Sequence, residues 1–190
     1  MISAILLTAG QSKRMNGKNK LTKEIQGIPL IKYSVKNILF SCVDELIIVL
    51  GYEKEIIEKL IDKNEKIKFV FNKDFKSGMA SSIKMGLNHL SKNTEAFFVC
   101  LGDMPMVNPD IYNQLIKSRS KKDILVPTYK SQQGNPILFN KSMKGKIMSI
   151  TGDTGAKKIL ELNKNKISGL EISDQGITRG FDTQDDFNSL

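Results

Sequence analysis

The sequence contains no tryptophan, one histidine, two cysteines and five prolines in 190 residues. One histidine and two distant cysteines exclude a zinc cluster, which draws on several such ligands held close together. Cys42 and Cys100 lie in apolar surroundings with no CxxC or HxxC neighbour. Both are expected as reduced core residues of a cytoplasmic protein, not as a disulfide. Long apolar runs are missing as well. The longest, Leu46 to Leu50 and Ala96 to Leu101, fall far short of the ~20 residues of a membrane helix, so no membrane partner is expected. The apolar start, Met1 to Leu7, has no preceding positive charge and no cleavage site, and is expected as a buried first strand, not a secretory signal. Arginine is scarce too: Arg14, Arg119 and Arg179 are the only three among 29 basic residues. Base readout and phosphate forks favour arginine, so a formal net charge of +9 does not make nucleic acid the expected partner.

What is present is an ordinary globular composition, 40% hydrophobic and 26% charged. A chain of this length buries about 70% of its unfolded surface without metal or disulfide support. Continuous apolar runs alternate with amphipathic segments. Ile2 to Leu7, Leu46 to Leu50, Ile67 to Phe71, Ala96 to Leu101 and Ile124 to Tyr129 read as strands, with extended pieces at Pro136 to Phe139 and Ile167 to Ile172. Helices are expected from Pro29 at a first helical position through Leu39, and over 53–61, 79–90, 109–118, 141–149, 155–162 and 184–190. No repeat, low-complexity tract or linker intervenes. The expectation is an α/β, Rossmann-like three-layer fold of one domain over 1–190, with a mostly parallel central sheet covered on both faces. Ligands in such sheets bind beyond the carboxyl ends of strands, which puts residues 9–20 and 102–105 on one rim.

The charge is unevenly spread. Residues 1–23 contain no acid, yet Lys13, Arg14, Lys18, Lys20 and Lys23 fall there. Such a cluster in one loop suits a compact polyanion such as a nucleoside triphosphate, and a solvated basic loop is the plain alternative. Within the loop, Gly10 and Gly17 let backbone N–H groups approach phosphate oxygens. The spacing is not that of a P-loop, which places four residues between its first glycine and Gly-Lys. Six residues separate Gly10 from Gly17-Lys18, Asn19 follows, and no GxGxxG is present. Asp103 closes a strand in Gly102-Asp103-Met104-Pro105. A lone carboxylate on a rigid rim suits Mg²⁺, which takes one or two carboxylates plus phosphate and water oxygens, against the alternative of a turn aspartate. Gly78-Met79-Ala80-Ser81-Ser82 opens a helix whose free N–H groups and hydroxyls could face a nucleotide or simply cap the helix. Met79 and Met85 read as core.

Leu7-Thr8-Ala9-Gly10-Gln11-Ser12-Lys13-Arg14-Met15, followed by Gly17-Lys18-Asn19-Lys20-Leu21, resembles the LAAGxSxRMGxxKL loop of the MobA-like nucleotidyltransferases. Gly78 to Ser82, Leu101 to Pro105, Gly134-Asn135-Pro136, Gly152 to Lys157 and Phe181-Asp182-Thr183 follow in the family's order. Together they resemble the branch that makes molybdenum cofactor dinucleotides, and within it the cytidylyltransferases. That resemblance implies Mg²⁺-dependent transfer of CMP from CTP to the phosphate of molybdopterin. Nucleotide contacts are implied at Thr8, Ala9, Gly10, Gln11, Ser12, Arg14, Gly17, Lys20, Gly78, Ser81, Ser82 and Asp103. It further implies Arg14, Lys20 and Asp103 in the chemistry, Asp103 and Asp182 on the metal, and Asn135, Asp153 and Lys157 on the acceptor side. Read without the family, Asp182 and Asp153 are equally helix caps. A molybdenum hydroxylase of the xanthine dehydrogenase type is implied as recipient of the product. The chain departs from the family in four places: Thr8-Ala9-Gly10 differs from the Ala-Gly-Gly form associated with guanylyl transfer and is closer to the cytidylyl form, Asn16 is inserted before Gly17, Lys157 stands where arginine is usual, and Asn135 where histidine is frequent. Another phosphorylated acceptor (a sugar phosphate or phosphocholine) and a Lys-rich nucleic-acid binder remain the competing readings.

Overall fold

A computed structural model describes residues 1–12, 15, 19–119, 123–149 and 155–188, with only the backbone described for residues 156 and 157. The chain runs β1 (Ile2–Leu7), β2 (Glu24–Ile25), β3 (Ile28–Pro29), α1 (Leu30–Leu39), β4 (Glu45–Leu50), α2 (Lys54–Leu60), β5 (Ile67–Phe71), α3 (Met79–Asn88), β6 (Ala96–Leu101) and α4 (Pro109–Lys117). It continues with β7 (Ile124–Tyr129), β8 (Gln132–Gln133), β9 (Ile137–Asn140), α5 (Lys144–Met148), α6 (Ala156–Leu162), β10 (Ile167–Glu171) and α7 (Gln184–Asn188). The eight-stranded sheet has the order β10-β7-β9-β6-β1-β4-β5, with β8 pairing β7. Its pairs are parallel except those made by β9 and β8.

The unbroken apolar runs are explained by two cores. Side chains alternate across a strand, so Ala4, Leu6, Leu46, Ile48, Phe98 and Cys100 join one cluster with Ile31, Ile38, Ile57 and Ile111 of α1, α2 and α4. Ile5, Ile47, Val49, Phe97 and Val99 join a second with Ile83, Leu87, Ile147 and Ile159 of α3, α5 and α6. Both faces are covered, as expected of an α/β sheet with continuous apolar strands. No described helix is long and apolar enough to cross a membrane.

Three expectations need correction. Pro29 is the residue before α1, not its first: it is extended (φ −53°, ψ 135°) and pairs with Glu24 in the small β2–β3 hairpin. Pairing to a neighbouring strand therefore decides its backbone. Cys100 is buried, but Cys42 is exposed. Ser41 and Val43 on either side of it turn inward, so Cys42 points out of the turn that follows α1, and its N–H donates to Asn113 Oδ1. Met79 is also not core, as described below.

Candidate active site

The carboxyl ends of β1 and β6 lie side by side, with Leu6 opposite Cys100 and Leu7 opposite Leu101. The segments leaving them form one wall each of a 480 Å³ cavity. Thr8 to Ser12 supply the first wall, Gly102 and Asp103 the second, and 75–79 with Ser82 the third, while Lys20 and Leu21 close the rim. That volume is in the range of small-molecule sites.

The walls are tied down. Thr8 Oγ1 donates to the Val49 carbonyl at 2.8 Å, so β4 sets the start of the loop. Ser12 adopts a left-handed backbone (φ 51°), and its Oγ accepts from Lys20 N at 3.0 Å, closing the loop on itself. Asn19 caps the 3₁₀ turn Lys20–Thr22 by accepting from Leu21 N. On the opposite wall, Gly102 N donates to the Leu7 carbonyl. A Cβ on Gly102 would stand 3.1 Å from that carbonyl oxygen, a tight fit that glycine avoids. Ser34 Oγ holds the Gly102 carbonyl at 3.0 Å and Asn37 the Pro105 carbonyl at 2.9 Å, anchoring the turn to α1.

The third wall depends on Gly78, whose φ of 109° L side chains rarely adopt. It lets the chain enter α3 with no side-chain cap, and Ser81 N–H donates back to the Gly78 carbonyl at 3.1 Å. Asn72, 1% exposed, donates through Nδ2 to Ser81 Oγ (2.8 Å) and Ser82 Oγ (3.0 Å). Ser82 thereby accepts from Asn72 and keeps its own proton to donate to a ligand.

The centre of the site is a charge cluster. Lys20 Nζ contacts Asp103 Oδ2 and, at 2.5 Å, Asp182 Oδ1. The Lys20 and Asp103 side chains are 16% and 17% exposed, Asp182 47%. Burial disfavours the Lys20 ammonium, but Asp103, and after it Asp182, more than reverse this and raise its pKa above the ordinary lysine value. Asp182 is carried in by the C-terminal segment: Phe181 N donates to the Asp103 carbonyl at 2.9 Å. Asp186 Oδ2 accepts from Asp182 N (2.8 Å) and Thr183 N (2.6 Å). Two buried side-chain atoms lack a hydrogen-bond partner among the described residues, and both are here: Asp103 Oδ1 and Asn19 Nδ2. A buried carboxylate oxygen without a donor fits a divalent cation. No group of three or more His, Cys, Asp or Glu that could hold a metal occurs among the described residues, so a cation here needs oxygen ligands from elsewhere. Cys100 is no alternative nucleophile, because burial pushes its thiol up to about 12.

Residues 4–168 match the MobA-like NTP transferase domain, a span that contains the segment after β1, Lys20 and Asp103 and ends before Asp182. The chain belongs to the MobA-like NTP transferase domain family. It is 28% identical over 186 residues to the molybdenum cofactor cytidylyltransferase of Escherichia coli K12, covering 98% of this chain and 93% of that protein. It is 32% identical over 147 residues to a probable molybdenum cofactor guanylyltransferase of Methanosarcina mazei, covering 74% of this chain but 64% of that protein. Among solved structures, Rv0371c of Mycobacterium tuberculosis superposes with a TM-score of 0.88 at 22% identity, over 99% of this chain and 96% of that one. That likeness speaks to the fold.

In this MobA-like chain, Thr8, Ala9, Gly10, Gln11, Ser12, Lys20, Gly78, Ser82 and Asp103 line one cavity. Asp182 reaches the same cluster through Lys20. Ser81 does not line it: its hydroxyl is engaged by the Asp74 and Gly78 carbonyls and by Asn72. Asn135 also lies apart from the cavity, with its N–H donated to the Ile177 carbonyl. Arg14, Gly17 and Asp153, and the Lys157 side chain, lie outside the described residues. Sequence reasoning missed Asn72, Phe75, Lys76, Ser77 and the cavity-lining role of Met79, which is 38% exposed. Met79 sits on the apolar stripe of α3, yet it is that helix's first residue and lines the cavity, which periodicity alone does not reveal.

Proposed function

We propose that the protein transfers CMP from CTP to the phosphate of molybdopterin in the molybdenum cofactor, with release of pyrophosphate. The observation that carries the reading is the Asp103–Lys20–Asp182 cluster, with an unpartnered Asp103 oxygen, at the mouth of a nucleotide-sized cavity. A relative named as a cytidylyltransferase, aligned along nearly the full length of both chains, supports the choice of base and acceptor.

An acceptor phosphate oxygen attacks the α-phosphorus of CTP in line. The new O–P bond forms as the bond from the α-phosphorus to the bridging oxygen breaks, and pyrophosphate leaves with that electron pair. Such transfer depends on positioning and charge stabilisation, with no covalent intermediate on the protein. The Gly10 to Ser12 backbone and Lys20 bind the departing phosphates, joined by Arg14 as the family pattern implies. The α3 N-terminus and the Ser82 hydroxyl orient the nucleoside. Asn135, Asp153 and Lys157 are assigned to the acceptor side. Asp103 and Asp182 would hold Mg²⁺, which when bound would help to neutralise the phosphate charge. The product serves a molybdenum hydroxylase of the xanthine dehydrogenase type in the cytoplasm.

The M. mazei relative favours a second reading, guanylyl transfer to the same acceptor. One assay separates them: pyrophosphate release by the purified protein with molybdopterin, Mg²⁺ and CTP, GTP or ATP singly. Release with CTP is expected. Release with GTP alone establishes the second reading, and release only with a different phosphorylated acceptor overturns both.

A further inference from the structure

The Lys20 ammonium stands between two carboxylates from opposite ends of the chain, Asp103 Oδ2 and Asp182 Oδ1. That is the position a divalent cation needs if those two aspartates are to hold it. We infer that Lys20 occupies the cation position until a nucleotide arrives, so that the site rejects free divalent metal and admits it only together with a triphosphate. The inference rests on the assignment of Asp103 and Asp182 made above.

Three observations carry it. First, the described residues offer only this carboxylate pair and no third acidic, histidine or cysteine ligand. A free Mg²⁺ would have to keep most of its water and share the pair with a fixed positive charge, a repulsive arrangement. Second, Lys20 is held by its backbone, not only by its charge. Its N–H donates to Ser12 Oγ, and it begins a 3₁₀ turn capped by Asn19. The ammonium is thus tethered at the carboxylates at high effective concentration, an advantage a dissolved ion lacks. Third, Lys20 lines the same cavity as Gly10, Gln11 and Ser12. A bound triphosphate offers the ammonium a second set of anionic oxygens within side-chain reach, while its phosphates supply the ligands the metal lacks. Side-chain rotation then exchanges one cation for the other without moving the backbone. Asp103 Oδ1, buried and unpartnered beside the lysine, is the donor atom left for the incoming metal.

The test is binding of Mn²⁺ to the full chain without nucleotide, read from the electron paramagnetic resonance signal of free Mn²⁺. Lys20→Met and Lys20→Gln are expected to bind Mn²⁺ at least roughly tenfold more tightly than wild type, because a like charge has been removed from the site. Their melting temperatures are expected to fall without metal and recover with it, whereas the wild-type midpoint does not respond to Mn²⁺ alone. Equal Mn²⁺ affinity in wild type and both variants overturns the inference. If neither variant folds, the Lys20 ammonium resonance of the wild type decides. It is expected to be unchanged by millimolar Mg²⁺ and to shift when CTP and Mg²⁺ are added together; a shift with Mg²⁺ alone overturns the inference. A wild type that binds no ribonucleotide in any of these arms overturns the proposed function instead, which separates the two failures.

Discussion

Replacing Asp103 by asparagine separates the chemistry of the site from its architecture. The substitution keeps the side-chain shape and one acceptor but removes the charge. On the structural side, Lys20 loses one of two carboxylate partners and keeps Asp182. The lost pair is mostly shielded from solvent, yet its removal also relieves the burial of a charge, so the net cost to folding is about 1–2 kcal/mol. For a chain of this size that lowers the melting temperature by roughly 2–8 °C. On the chemical side, the proposed mechanism loses both a ligand of its cation and the counter-charge of Lys20. Removal of one preorganised electrostatic group of this kind costs about 10²–10³ in turnover, or roughly 2.7–4 kcal/mol of transition-state stabilisation. Turnover is measured as pyrophosphate release from CTP with molybdopterin, alongside thermal melting of the same preparation. A variant that melts within these limits but retains more than a tenth of wild-type turnover refutes the reasoning and removes Asp103 from the site.

Lys20→Ala is expected to raise KM for CTP and lower kcat together, because the proposed mechanism assigns the same ammonium to triphosphate binding and to the charge on departing pyrophosphate; steady-state kinetics with CTP as the varied substrate check this. Gly78→Ala places a Cβ at φ 109°, and is expected to cost about 1–2 kcal/mol in a denaturant melt and to weaken CTP binding, because α3 can no longer enter from the same direction. Asp123 is held below the usual carboxylate range by Lys166, with Ser142 assisting. A depressed carboxylate pKa contributes stability that is full above the unfolded value of about 4 and is lost as the pH falls through the folded value. Asp123→Asn is therefore expected to destabilise by less than about 1 kcal/mol at neutral pH, this being a solvent-accessible pair, with the gap to wild type closing in acid.

The strands were legible in the sequence because burial on both faces writes itself as an unbroken apolar run. Leu46 to Leu50 feeds two cores at once, and no other environment tolerates five such residues in succession so readily. The rim residues Thr8 to Ser12 and Asp103 were legible because parallel strands end side by side, so segments distant in sequence meet without further information. Asn72 was not legible. An asparagine one residue past β5 reads as a turn former, and its role in holding Ser81 and Ser82 exists only once α3 has been folded back over the strand. The β2–β3 hairpin was missed because two-residue strands carry no period. The contact between Lys20 and Asp182 spans 162 residues of chain, and only the final packing of the C-terminal segment against the Asp103 turn produces it. Cys42 shows the limit of local composition: apolar neighbours do not bury a residue whose turn directs it outward.

Calorimetric titration of the purified chain with CTP in the presence of Mg²⁺ tests most directly whether the cavity between β1 and β6 holds a nucleotide. One CTP per chain is predicted, with affinity lost when Mg²⁺ is withdrawn and reduced by Lys20→Ala. Absence of binding for CTP, GTP, ATP and UTP alike, Mg²⁺ present, contradicts the account.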